Sequence, residues 1–171
     1  ESMVSVWVCG LSTLDLTYRA SAAPPPGVKV AAASASVDAG GPALNAARTA
    51  RVLGASVTLV TALGDGPVGR IVCEFLPGID VHDLGQSSHR TPVSSAIVDD
   101  EGDRTIVSAN AVGAHFGPSP ELGRCDVLLL DGHLMPPSLE LARGARERGI
   151  PVVLDGGSWK DGLEELIPLV T

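Results

Sequence analysis

The sequence predicts an α/β protein: a doubly wound, mainly parallel sheet flanked by helices, with a small antiparallel β lid. Three observations carry the prediction. Mostly apolar runs at 4–10, 56–64, 125–132 and 150–157 have the length and continuity of strands buried on both faces. Stretches with apolar residues at helical spacing alternate with those runs, the pattern of a parallel sheet wound with helices. Two segments, 16–36 and 91–109, break the alternation and read as short strands joined by turns, and these form the lid.

Taken in order, "VSVWVCG" is the first strand, ending at Gly10. In "VDAGGPALNAARTARVLGA" (37–55), Ala43, Ala46, Ala47, Ala50 and Leu53 mark the apolar face of a helix, and Gly54 stops it. Gly40 and Gly41 stand directly before that helix. Unpaired backbone N–H groups and the helix dipole make such a place attractive to electron-rich ligand atoms, and Asn45 adds a side-chain donor and acceptor. A tight turn before a packed helix is the simpler alternative. "SVTLVTALG" is the second strand, followed by Val68, Ile71, Val72 and Phe75 at helical spacing, with Asp65 as N-cap and Pro67 in the first turn. A hairpin turns at Asp100-Glu101-Gly102. "CDVLLLDG", the helix "PPSLELARGARERG" and "IPVVLDGG" complete the alternation. Asp15, Asp131 and Asp155 fall just beyond strand ends, where sheets of this kind gather ligands.

Composition sets the outer limits. The chain has 171 residues, 44% hydrophobic and 19% charged, which suits one globular α/β domain and is short for two. A net charge of −8 argues against nucleic acid or an anionic membrane as a partner. No run reaches the roughly 18 apolar residues needed to span a bilayer. Cys9, Cys73 and Cys125 lie apart inside apolar runs and read as buried small hydrophobes, and their odd count without a C-x-x-C pair suits a reducing cytoplasm. His82, His89, His115 and His133 show no metal-ligand spacing.

One motif points to different chemistry. "GDGPVG", with Gly64, Gly66 and Gly69, matches G-x-G-x-x-G after a strand, and Asp83 lies where a ribose-binding acid would stand. Taken alone it describes an NAD-binding oxidoreductase. Against that reading, Asp65 puts a carboxylate inside a loop meant for pyrophosphate, and the strand is the second rather than the first.

Several stretches together resemble the ribokinase-like sugar kinases of the PfkB family. "DAGGPALNAARTARVLGA" resembles the first family signature and "LGDGPVGRIVCEFLPGIDV" the segment after it. "CGLSTLDLT" is similar to the family's first strand, "EGDRTIV" to its returning lid strand and "VLDGGSW" to the strand leading towards the nucleotide half. The resemblance implies an ATP-dependent kinase that phosphorylates a sugar hydroxyl, with ATP and Mg2+ as cofactors. It implies that residues 1–171 are the N-terminal part of one such domain, carrying the acceptor site and lid.

By the same resemblance Asp15, Gly40, Gly41, Asn45 and Asp131 bind the sugar. Asp15 accepts from two hydroxyls, and the glycines let sugar approach backbone N–H groups. Arg104 corresponds to a lid arginine that reaches the donor phosphates in ketohexokinase-like members; a solvated strand charge is its alternative. Asp131 stands where many relatives have Glu, Thr13 replaces the Asn of ribokinases proper, Lys160 reads as a surface residue, and Trp159 as packing. A homodimer formed through the lid is expected as well. The family's Gly-Ala-Gly-Asp turn, which supplies the general base and anion hole, does not occur in these residues, so no catalytic residue is assigned here and the chain alone is expected to be inactive. A nucleoside kinase is the nearest alternative, and a non-catalytic sugar-binding remnant another.

Overall fold

A computed structural model describes residues 3–109 and 116–171; His115 lies outside the described residues. Strand β1 (Ser5–Cys9) is followed by β2 (Thr13–Arg19), β3 (Ser34–Gly40), helix α1 (Pro42–Val52), β4 (Ser56–Thr61), α2 (Pro67–Glu74) and β5 (Asp80–Asp83). The chain continues through β6 (Val93–Val98), β7 (Arg104–Ala109), β8 (Val127–Leu130), α3 (Met135–Glu147), β9 (Val152–Leu154) and α4 (Leu163–Leu166).

The main sheet has the order β5-β4-β1-β8-β9, and every pairing in it is parallel. Side chains of β1 alternate between two cores. Val8 joins Leu44, Ala47, Leu59 and Val72 on the side of α1 and α2, whereas Trp7 and Cys9 join Leu128, Leu141 and Leu166 on the side of α3 and α4. Burial on both faces is what the unbroken apolar runs require. From β1 the chain winds outward to β4 and β5, then returns to β8 on the other side of β1. A crevice forms beyond the carboxyl end of the strand at such a switch of direction. Here that switch falls beside Gly10, where the Asp131 carboxylate packs against the backbone.

The second sheet, β3-β2-β6-β7, is the expected lid, with one correction. It is mixed: β2 pairs antiparallel with β3 but parallel with β6, because both strands leave the main sheet's carboxyl edge in the same direction. Its first strand also begins at Thr13, so Asp15 belongs to the lid rather than to the end of β1. The hairpin between β6 and β7 forms as expected, with Asp99 Oδ1 accepting from Glu101 and Asp103 N–H groups.

Four local expectations need correction. The buried stripe of α1 is Ala43, Leu44 and Ala47, while Leu53 is 81% exposed, because the helix has ended before it reaches the sheet. Helix α2 takes Gly66, not Asp65, as its N-cap, without a side-chain cap. Cys73 is exposed on the outer face of α2, and Trp159 is 70% exposed on the loop after β9, so neither packs in a core.

Candidate functional site

Asp15 is half-buried on β2, on the same face as Thr13 two positions earlier and opposite the core-facing Leu14 and Leu16. The Thr13 hydroxyl donates to Asp15 Oδ1 at 2.6 Å and fixes the rotamer. Strand register places Gly40 opposite Thr13, and a Cβ on Gly40 would lie 2.7 Å from Asp15 Cγ and nearer still to Oδ2. The carboxylate therefore rests against bare backbone. Gly41 caps α1 with φ 96° in the left-handed region, where a Cβ would press on the Leu11 carbonyl, 2.9 Å from its carbon. The glycine pair thus serves the protein's own packing, one member seating Asp15 and the other turning the chain past Leu11.

Asn45 is exposed one turn into α1, and among the described residues its side chain has no hydrogen-bond partner. Arg104 opens β7. It lines, with Asp15, Thr17, Ser94, Ala96 and Ile106, a lid cleft of about 310 Å³. Strand pairing sets it two strands and four residues from Asp15, on the order of 16 Å between Cα atoms. The structure thus places Asp15 and Arg104 at opposite ends of one cleft.

Asp131 has different surroundings. It is 2% exposed just beyond β8. Its Oδ2 accepts from Leu11 N at 2.8 Å and Ala43 N at 3.1 Å, and its Oδ1 from His133 N at 2.9 Å. The carboxylate occupies the space a Cβ on Gly10 would take. Three chain segments (the end of β1, the start of α1 and the turn after β8) are thereby tied to one side chain. Burial pushes its pKa up, and the three N–H donors and His133 oppose that rise. Burial likewise lowers the His133 imidazole, against the attraction of Asp131 and with help from the Lys160 charge.

Nearby, Thr61 Oγ1 lies 2.8 Å from both the Gly10 carbonyl and Ser12 Oγ, which ties the end of β4 to the segment joining β1 and β2. Asp155 is exposed after β9, and the Lys160 ammonium folds back to donate to Ser158 O and Oγ, each at 3.1 Å. Sequence reasoning missed Thr13 as the partner that orients Asp15, although its spacing of two on a strand was the available signal. It also missed the bracing by Ser12 and Thr61, which no spacing records.

The glycine loop at 64–69 is not a dinucleotide site. Asp83, the supposed ribose ligand, accepts from Leu63 N, Gly64 N and Gly85 N, and so closes the loop on itself. A Cβ on Gly69 would meet the Gly64 carbonyl at 2.5 Å, so that glycine serves close helix packing. Among the described residues no group of three His, Cys, Asp or Glu is placed to hold a metal ion. Among the described residues no helix is long and apolar enough to cross a membrane.

Comparison with known proteins places the fold. Among solved structures, the chain is similar to a protein of Agrobacterium tumefaciens assigned as a ribokinase, at 26% identity and TM-score 0.85 over 99% of this chain and 58% of that one. It is similar in fold to Arabidopsis thaliana ribokinase complexed with ribose and ATP (19% identity, TM-score 0.76, 99% of this chain and 59% of that one). The same holds for Methanocaldococcus jannaschii nucleoside kinase (17% identity, TM-score 0.72, 99% of this chain and 59% of that one). The chain therefore spans somewhat over half the length of these relatives. The profile of the pfkB family carbohydrate kinases matches residues 3–171, and the chain belongs to that family.

Proposed function

We propose that these residues form the acceptor half of an ATP-dependent kinase that phosphorylates a sugar hydroxyl. The observation that carries the reading is the seating of Asp15. A half-buried carboxylate, oriented by Thr13 and cradled by Gly40, faces a cleft of about 310 Å³ under the lid. A carboxylate so held accepts from two neighbouring hydroxyls, and discriminates strongly against a molecule lacking one. Asn45 offers a further donor and acceptor from the first turns of α1, and Arg104 supplies positive charge from the far end of the cleft, towards the donor phosphates.

In this reading ATP contributes the phosphoryl group that is transferred. The chain's own residues bind and orient: Asp15 and Asn45 fix the ring, the lid strands exclude water, and Arg104 balances phosphate charge. Positioning and electrostatics are what phosphoryl transfer chiefly asks of a protein. The base that accepts the hydroxyl proton is assigned to no residue described here. The lid also offers apolar side chains, Val37 at 50% and Val107 at 74% exposure, to the homodimer expected through it.

The test is a panel of sugars and nucleosides offered with ATP to the protein in its full length, with binding followed by calorimetry and turnover by ADP release. Binding and phosphorylation of a free sugar are expected. Asp15→Ala should weaken that binding by about 2–3 kcal/mol while the fold persists. Unchanged sugar affinity in Asp15→Ala would overturn the assignment, and phosphorylation of nucleosides alone would favour the nucleoside kinase reading.

A further inference from the structure

Two of the connections that join the lid to the main sheet are fastened at one place, the carboxyl end of β4. Residues 10–12 lead into β2, and Thr61 Oγ1 binds the Gly10 carbonyl and Ser12 Oγ among them. Residues 84–92 lead into β6 and meet three consecutive carbonyls. Leu84 N donates to the Thr61 carbonyl at 2.7 Å, His89 Nε2 lies 2.9 Å from the Ala62 carbonyl oxygen, and Thr91 Oγ1 donates to the Leu63 carbonyl at 2.5 Å. The ladder between β4 and β5 ends at Thr61 and Asp83, so the carbonyls after it are met by side chains instead. Thr61, His89 and Thr91 are all buried. Helix α2 closes over the last of these bonds: a Cβ on Gly69 would lie 3.2 Å from Thr91 Oγ1.

Thr91 is also joined to Asp15, though it does not line the cleft that holds Asp15 and Arg104. The residue after it, Pro92, keeps φ near −65°, which leaves little slack between the threonine hydroxyl and β6. The Pro92 carbonyl accepts from Leu14 N at 2.9 Å. Strand β6 then pairs with β2 so that Val93 stands beside Leu14 and Ser94 beside Asp15. A short covalent and hydrogen-bonded path thus runs from the Leu63 carbonyl of the main sheet, through Thr91 and Pro92, to the residue before Asp15.

Resting on the acceptor-site reading above, we infer that Thr91 is a positioning residue for that site: its hydroxyl fastens the root of β6 to the end of β4 and so sets where Asp15 stands relative to the main sheet. Without the hydroxyl, the Leu63 carbonyl loses a buried donor and the root of β6 is held less firmly. Asp15 shifts with that root, because β2 and β6 share one ladder. Affinity for the acceptor then falls in proportion to the fraction of molecules whose lid is correctly placed.

The experiment uses the full-length protein with ATP and with ribose, fructose and glucose, following whichever sugar the wild type binds. Thr91→Val removes the hydroxyl at nearly constant shape, and Thr91→Ser keeps it. The valine variant should bind the sugar roughly three- to tenfold more weakly, with ATP affinity unchanged, and the serine variant should stay near wild type. In kcat/KM for the sugar, Thr91→Val should cost less when Asp15→Ala is already present than when it is not, because both changes act on one carboxylate. Wild-type sugar affinity in a folded Thr91→Val overturns the inference. So does a loss shared equally by ATP, a serine variant as weak as the valine one, or an equal cost with and without Asp15. Should Thr91→Val fail to fold, Thr91→Cys, with a weaker donor of similar reach, takes its place on the same expectations. Unchanged sugar affinity in Asp15→Ala, or a wild type that binds no sugar, overturns the functional reading instead.

Discussion

Asp15 and Gly40 are complementary: the carboxylate of one occupies the space that a side chain on the other would fill. The relationship lies across two lid strands and decides where the Asp15 carboxylate points. On the proposed reading it makes Gly40 as consequential for binding as Asp15, although glycine has no side chain.

Gly40→Ala should therefore act on binding more than on stability. The atom in the way belongs to the end of a side chain, and Asp15 can rotate to a different rotamer. The expected outcome is a loss of sugar affinity of about tenfold or more, with the thermal midpoint nearly unchanged. Titration calorimetry beside thermal unfolding checks it; wild-type affinity in the variant would mean that Asp15 is not held by this contact.

Gly41→Val should do the opposite. The clash is with the Leu11 backbone, and φ 96° is forbidding to a β-branched residue. A loss of stability of about 2–4 kcal/mol is expected, with binding lost as a consequence. Urea unfolding curves measure it, and a midpoint equal to wild type would refute the strain argument.

The cysteines should separate by reactivity. Complete burial pushes the Cys9 thiol up to about 12, with Ser138 Oγ 3.7 Å from its sulfur. Cys73 is exposed, though burial of its sulfur and the Asp83 charge raise it as well. A disulfide-exchange reagent at pH 8 should label Cys73 in the native protein and Cys9 only after unfolding. Mass spectrometry of the labelled peptides reads the order, and fast native labelling of Cys9 would contradict its burial.

Stability should show opposing pH effects at the turn after β8. His133 has a folded pKa below its ordinary 6.5, so its contribution is present above that value and lost as pH falls through the folded pKa. Asp131 has a folded pKa above its ordinary 3.8, so its contribution is present at low pH and lost as pH rises through the folded value. His133→Gln should flatten the acid loss that begins near pH 6.5, and Asp131→Asn should remove the compensating gain at lower pH. Thermal midpoints between pH 4 and 8 test both signs; an identical profile for His133→Gln would refute the first.

Much of the fold was legible because its signals are local. The apolar runs of β1, β4, β8 and β9 announce themselves, as do the glycines that close α1 and α3. Strand β5, "DVHD", is not visible in apolar patterning because it is a short edge strand with half-exposed residues. Within the site, Asp15 and the glycine pair were legible as positions and illegible as a contact. Nothing in the spacing of residues 15 and 40 says that one would overlap the other. Asp131 was hidden for a related reason: its three donors come from residues 11, 43 and 133, brought together only by the order of the strands. A carboxylate at a strand end reads the same whether it waits for a ligand or holds the backbone. Asp83 shows the same ambiguity resolved the same way, on a loop whose glycines imitate a nucleotide motif.

Strand β2 starts only four residues after β1 ends, and Asp15 lies within it. The carboxylate proposed to hold the hydroxyls is thus carried by the second sheet rather than by the main one. Any swing of that sheet about Gly10–Ser12 carries Asp15 with it, so releasing the product and admitting water become one displacement rather than two.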